Sequence, residues 1–276
     1  MVERRFDQAD GLRRMFGAKR TRLLEVAAAM PGIGRTSLVV NLGAAMARSG
    51  RNTLLVDFVA QPSESSVHSY FGLTAADAAV APASAFPVAD GYGVTTMTHR
   101  EWMQSGPVHA STFCIAGHGR AASPYDWVLV NGSGVEPVVT TEDAERDVLI
   151  VLSSAAASIT DAYGVLKRMA AGDARCRFHV VVNRVHGAEA AQRIFANIAH
   201  VAQGYLKVAL DYVGYIPTDA AILRAASECA SVLDIAPASA GAQAYTRLAE
   251  AISVSSSARP MSIGHAFEPS IAAGAA

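Results

Sequence analysis

The stretch 22–58, RLLEVAAAMPGIGRTSLVVNLGAAMARSGRNTLLVDF, decides the fold. It opens with an apolar run, LLEVAAA (23–29), and turns at MPGIGRTS (30–37). An amphipathic run, LVVNLGAAMARSG (38–50), and a second apolar run, TLLVDF (53–58), follow. A strand, a glycine-bearing turn and then a helix is where a phosphate-binding loop belongs, because backbone N–H groups and the positive end of the helix converge there. Such a loop also needs a lysine on the phosphates and a Ser or Thr hydroxyl on Mg²⁺. Gly32, Gly34 and Thr36 keep the shape and the hydroxyl, but Arg35 stands where the lysine should be. Arginine keeps the charge, yet its planar fork is longer and does not replace a point ammonium in a tight loop. Pro31 removes one N–H donor from the cradle. Taken alone, the segment fits a bare strand–turn–helix junction and a degenerate phosphate loop equally well.

Downstream, apolar runs alternate with helical patterns. The strands expected are 22–29, 53–58, 93–97, 126–131, 147–153, 178–183 and 211–216, and the helices 35–49, 63–71, 159–171, 187–203, 218–228 and 239–252. Near-continuous apolar strands such as DVLIVL and FHVVVN read as central, parallel and covered on both faces. The fold class is therefore α/β, a three-layer α/β/α sandwich around a mostly parallel, doubly wound sheet. Residues 72–92, rich in Ala, Pro and Asp, read as loop. Residues 1–20 form a separate charged element, with Phe6, Ala9, Leu12 and Met15 or Phe16 at helical spacing and Arg5, Arg13 and Arg14 on the other face. Residues 21–253 form the α/β domain, and 254–276, without periodicity, read as a disordered tail.

Composition bounds the function. Hydrophobic residues make up 51% and charged residues 17% of the chain, enough apolar material for a large core. A net charge of -1 gives no reason to expect specific nucleic-acid binding or an anionic membrane as partner. Cys114, Cys176 and Cys229 are far apart and form no metal-ligand pair, as expected of reduced thiols. The histidines, among them His68, His99, His118 and His186, show no ligand spacing. No G-x-S-x-G elbow is present, and Ser153-Ser154 reads as loop. Nothing resembles a signal peptide or an apolar run of about 18 residues, so a cytoplasmic location is expected. The last helix, AQAYTRLAEAI, carries Tyr245, Leu248 and Ile252 on one side and few basic residues, which suits core packing and leaves membrane association weak at most.

MPGIGRTSLVVNLGAAMARSGRNTLLVDF resembles the opening of the MinD/ParA family of dimerising ATPases, whose loop reads K-G-G-x-G-K-T. The resemblance runs on through YDWVLVNGSG (125–134), SITDAYGVLKRM (158–169), VVNRV (181–185) and LDYVGYIPTDAAILRA (210–225), covering roughly residues 5–250. Within the family, SITDAYGVLK and DQADGLRR (7–14) are similar to the flagellar-number regulators, FlhG, also called FleN or YlxH. The resemblance implies that the N-terminal segment 5–16, with Asp7, Gln8, Ala9, Leu12 and Arg13, contacts FlhF, an SRP-type GTPase. It also implies flagellar assembly factors or a flagellar transcription activator as further partners, and recruitment to the cell pole or flagellar base.

The same resemblance exposes four departures. Met30 aligns with the signature lysine that reaches across the family's dimer, and Arg35 with the phosphate lysine. The second strand should end in D-x-D, but DFV keeps only Asp57 and puts Val59 where the water-positioning Asp belongs. The Walker B strand should end in Asp, and Asn131 stands there. Phosphoryl transfer is mostly positioning and electrostatic stabilisation, and these four changes strike the same step. Asn131 lacks the charge that holds hydrated Mg²⁺, and Val59 cannot hydrogen-bond a water. Hydrolysis at a useful rate is not expected, and no Mg²⁺ cofactor is expected. Asn183 matches the family position that reads adenine, and Pro217 and Asp219 lie in the neighbouring turn. Ordinary turn chemistry explains these residues as well as a residual ATP or ADP contact does. The function expected is that of a non-catalytic, FlhG-like regulator acting by protein–protein binding. The alternatives are an active ATP-dependent switch of the same branch and a divergent ParA-type adaptor for polar, cellulose or DNA-segregation machinery.

Overall fold

The computed structural model describes residues 22–28, 30–58, 66–72, 86–89, 92–97, 125–132, 146–172 and 176–255. Residues 1–20, expected to bind a partner, and Val59 lie outside the described residues.

The apolar runs form the strands of one sheet. They are β1 (Arg22–Ala27), β2 (Thr53–Phe58), β3 (Phe86–Ala89), β4 (Tyr92–Met97), β5 (Trp127–Asn131), β6 (Arg146–Leu152), β7 (Arg177–Val185) and β8 (Leu210–Pro217). Their order is β3-β4-β2-β5-β1-β6-β7-β8, and every neighbouring pair is parallel except β3 with β4. Among the described residues the helices are α1 (Arg35–Arg48), α2 (Val67–Tyr70), α3 (Ala156–Gly172), α4 (Ala188–Val201), α5 (Ala220–Ser227), α6 (Val232–Ile235) and α7 (Ala240–Ser255). A π-helical turn, Ala202–Leu206, extends α4.

Strands buried on both faces need a helical layer on each, and the core divides accordingly. On one face Leu24, Val26, Leu55, Leu129, Leu149 and Val151 pack with Leu38, Leu42 and Met46 of α1 and Tyr245, Leu248 and Ile252 of α7. On the other, Val148, Ile150, Leu152, Val180 and Val182 pack with Val165, Leu166 and Met169 of α3 and Ile198 of α4. This is the three-layer, doubly wound α/β/α architecture that the alternation of runs implies.

Three local expectations need correction. Residues 72–92, read as loop, contain β3 and the first residue of β4. FPVA is short, carries a proline and pairs antiparallel at the sheet edge, where proline is tolerated. Among the described part of 63–71, only Val67–Tyr70 is helical. Helix α7 runs through Val254 and Ser255, two residues into the stretch read as tail.

The register places the site. Val26 pairs with Asn131, and Asp57 pairs with Asn131 from the other side. The carboxyl ends of β1, β5 and β2 are thus side by side, at the edge where open α/β sheets hold their ligands.

Candidate functional site

The turn after β1 carries two glycines at positive φ, Gly32 at 75° and Gly34 at 92°. A Cβ on Gly32 would meet open space, whereas one on Gly34 would stand 2.5 Å from Asn183 Nδ2. Gly34 is therefore required twice over, by its left-handed backbone and by the close approach of β7. It is also the N-cap of α1, which has no side-chain cap and no acidic residue in its first turn. Met30 and Thr36 are half-buried, while Pro31 and Gly32 are exposed.

Arg35 does not extend over this loop. Its Nε donates to Asn131 Oδ1 at 2.7 Å, across the end of β5. Asn131 Nδ2 in turn donates to Asp57 Oδ1 at 2.7 Å. The other carboxylate oxygen of Asp57, Oδ2, accepts the backbone N–H of Val67, the first residue of α2. Asp57 and Asn131 are buried, as is Glu25 in the middle of β1. The Glu25 carboxylate lies over Gly132, where an added Cβ would come within 2.8 Å of Oε1. Burial draws the Arg35 guanidinium below the ordinary arginine range, and the charges of Asp57 and then Glu25 oppose that shift. Arginine is not deprotonated in proteins, so the group remains a half-buried cation that feels the charge of both acids.

The expected base-contact residues meet at the mouth of a cavity of about 340 Å³, lined among others by Gly34, Ser37, Asn183, Pro217, Asp219 and Tyr245. Their polar groups are engaged with the backbone. Asn183 Nδ2 donates to Ile33 O at 2.8 Å, and its Oδ1 accepts from Arg184 N at 3.0 Å. Asp219 caps α5 by accepting from Ala221 N at 2.8 Å, and its second oxygen accepts from Gly241 N, in α7, at 2.7 Å. Burial alone would raise the Asp219 pKa, but these two amides, Ser239 and Arg224 outweigh it and hold the carboxyl below its ordinary value.

A stability prediction follows from that cap. Asp219→Ala should cost about 1–2 kcal/mol in chemical denaturation at neutral pH, the usual worth of an N-cap plus a second backbone tie. Because the folded pKa lies below the unfolded one, this contribution is present above the unfolded value and is lost as pH falls through the folded value. Wild type and variant should therefore converge in acid, and a difference that stays constant with pH would contradict the assignment.

Of the residues singled out from sequence, Arg35, Asp57 and Asn131 are joined by hydrogen bonds. Gly34 and Asn183 are in contact beside them, while Met30, Gly32 and Thr36 belong to the loop and its first turn. Val59, Asp7, Gln8, Ala9, Leu12 and Arg13 lie outside the described residues. Glu25 was missed, although a lone acid inside an otherwise apolar central strand was a visible signal. Asn41, fully buried in α1, was missed as well. Its Nδ2 donates to Ser37 O at 2.7 Å, and its Oδ1 accepts from Ser231 Oγ at 3.0 Å and Val232 N at 2.8 Å. Among the described residues no three His, Cys, Asp or Glu side chains are grouped as a metal-ligand set.

A model of the CobQ/CobB/MinD/ParA nucleotide binding domain matches residues 26–232. The antiactivator FleN of Pseudomonas aeruginosa is 30% identical over 162 residues, which are 58% of this chain and 56% of FleN. The alignment thus spans only about half of that relative's length. Among solved structures, the MinC:MinD cell division protein complex of Aquifex aeolicus superposes with a TM-score of 0.61 at 20% identity, covering 87% of this chain and 98% of the other. The septum site-determining protein MinD of Pyrococcus horikoshii, complexed with Mg-ADP, gives 0.56 at 20% identity, covering 84% and 96%. These structural likenesses speak to the fold.

Proposed function

The chain belongs to the CobQ/CobB/MinD/ParA family of nucleotide binding domains, and we propose that it is a non-hydrolysing member acting as a FleN-like regulator through protein–protein contacts. The observation that carries this reading is the hydrogen bond from Arg35 to Asn131. It sets a guanidinium beside Asn131 and Asp57, the residues nearest to where this family's Mg²⁺ and terminal phosphates would be handled.

The residues present do not fit a Mg–nucleotide. Mg²⁺ demands near-octahedral oxygen ligands, usually through a carboxylate. Here Asn131 is neutral, both Asp57 oxygens already accept N–H donors, and a cation stands 2.7 Å from the Asn131 carbonyl. A second cation there meets like-charge repulsion in a region where burial weakens screening. Asn183 and Asp219 likewise hold backbone, so a base entering the cavity finds them already engaged. Residual ATP or ADP binding on this reading is weak and does not depend on Mg²⁺.

Similarity to an antiactivator supports a protein partner and a flagellar setting. Residues 5–16 are the proposed contact for an FlhF-type SRP GTPase, with Asp7, Gln8, Ala9, Leu12 and Arg13 making it. A flagellar transcription activator and assembly factors are the proposed partners of the domain surface. No helix among the described residues is long and apolar enough to cross a membrane, so recruitment to the cell pole or flagellar base is proposed to run through these partners.

The test is association of the full chain with an FlhF-type GTPase, read by pull-down and by the partner's GTP hydrolysis. Deleting residues 1–20 should abolish both the association and the stimulated hydrolysis. Unchanged association and hydrolysis after the deletion would remove the partner assignment.

A further inference from the structure

The hydrogen bonds at the site run beyond it. From Arg35 Nε they pass through Asn131 and both oxygens of Asp57 to the first amide of α2. The last residue of α2 is tethered as well, since Tyr70 Oη lies 3.4 Å from Asn41 Nδ2. Asn41 also binds Ser37 O, in the first turn of α1, together with Ser231 Oγ and Val232 N at the start of α6. Just past α2, Gly72 packs on Cys229, where an added Cβ would come within 3.3 Å of Sγ. Two sets of polar contacts therefore meet at α2, one running from Arg35 to its first amide and the other from its last residue through Asn41 to Ser231 and Val232, and both are anchored on α1.

We propose that Arg35 is a built-in stand-in for the metal–phosphate group, holding α2 and the adjoining 229–235 segment in one arrangement whether or not nucleotide is present. Two charged groups make this a strong tie. The Arg35–Asn131 and Asp57–Val67 hydrogen bonds are both charge-assisted and lie in a region of low solvent exposure. A side chain fixed to the backbone of α1 does not dissociate, so the tie is independent of concentration, unlike one supplied by a ligand. The surface next to the loop is then displayed permanently to protein partners. The inference rests on the reading that this site does not take a Mg–nucleotide.

The test is hydrogen exchange on the full chain as wild type, Arg35→Ala and Asn131→Ala, each with and without Mg-ATP, beside ATP turnover of the wild type. Amides of 66–72 should exchange about tenfold faster or more in both variants, because a charge-assisted link to the helix start is gone. Peptides over β6 and β7 should keep wild-type rates in Asn131→Ala and speed up in Arg35→Ala only by the factor its lower global stability sets, and Mg-ATP should leave the wild-type pattern unchanged. If Arg35→Ala speeds β6 and β7 as much as 66–72, the Asn131→Ala protein decides, since it breaks the hydrogen-bond link without removing a charge. Wild-type exchange at 66–72 in the variants, with no turnover, would overturn the stand-in and leave the non-hydrolysing reading intact. A change in wild-type α2 exchange on adding Mg-ATP would also overturn it. Turnover by the wild type would instead remove the reading beneath it.

Discussion

Replacing Arg35 with leucine is expected to destabilise the protein by about 2–3 kcal/mol, less than breaking a fully buried ion pair because Arg35 is half-buried and its hydrogen bond goes to the neutral Asn131. The size follows from what is left behind. Asp57 and Glu25 are almost fully buried, and Arg35 is the cation whose charge offsets burial there. Asp57 would keep Asn131 Nδ2 and the Val67 amide, so its cost is softened but not cancelled. Leucine adds apolar contacts worth at most about 2 kcal/mol, which offset the loss only in part. The deficit is read as the shift in a urea transition. Arg35→Lys should cost less, because it keeps the cation and loses only the fork that reaches Asn131. A Leu variant within about 0.5 kcal/mol of wild type, the range of an ordinary surface change, would show that Arg35 is not the counter-ion described.

That dependence explains why the sequence conveyed the parts of the site but not its wiring. Arg35, Asp57 and Asn131 each stand out against a family pattern, yet they lie on α1, β2 and β5. Only the parallel register that sets Asp57 opposite Asn131 brings them together. Periodicity reveals strands and helices, but not which loop end a side chain turns toward. Asn183 and Asp219 show the same limit. Their residue types suited base recognition and turn chemistry equally, and the hydrogen bonds they make, to Ile33, Ala221 and Gly241, come from segments that no local pattern connects. Glu25 was hidden for the opposite reason, since a strand reading absorbed it as one residue among apolar neighbours.

The central strands were legible because burial on both faces leaves near-continuous apolar runs such as VLIVL and VVV. The elements that escaped notice are short. FPVA in β3 and VLDI in α6 have four residues each, too few for a period to show. The start of α6 is held instead by Ser231, whose Oγ accepts from Leu233 N and donates to Asn41 in α1. That anchor is long-range, and no local pattern records it.

The second large effect concerns catalysis. In a site of this kind, each lost charge-stabilising group commonly costs two or more orders of magnitude in rate, and losses acting on one step leave little to measure. On the proposed reading, Met30 brings no charge to the phosphates, Arg35 is bound to Asn131, and Asn131 stands in place of a Walker B carboxylate. Val59, outside the described residues, adds a fourth loss read from sequence. The restoration Met30→Lys, Arg35→Lys, Val59→Asp, Asn131→Asp should therefore bind Mg-ATP where the wild type does not, because it returns the loop cation and the metal carboxylate together.

The most direct measurement is phosphate release by the wild-type chain in Mg-ATP, run beside that fourfold variant and a sizing column with and without nucleotide. The site described here predicts release at the buffer rate, no ATP-dependent dimer, and Mg-ATP binding gained only by the variant. Micromolar Mg-ATP affinity in the wild type, with turnover abolished by changing Arg35, would contradict it.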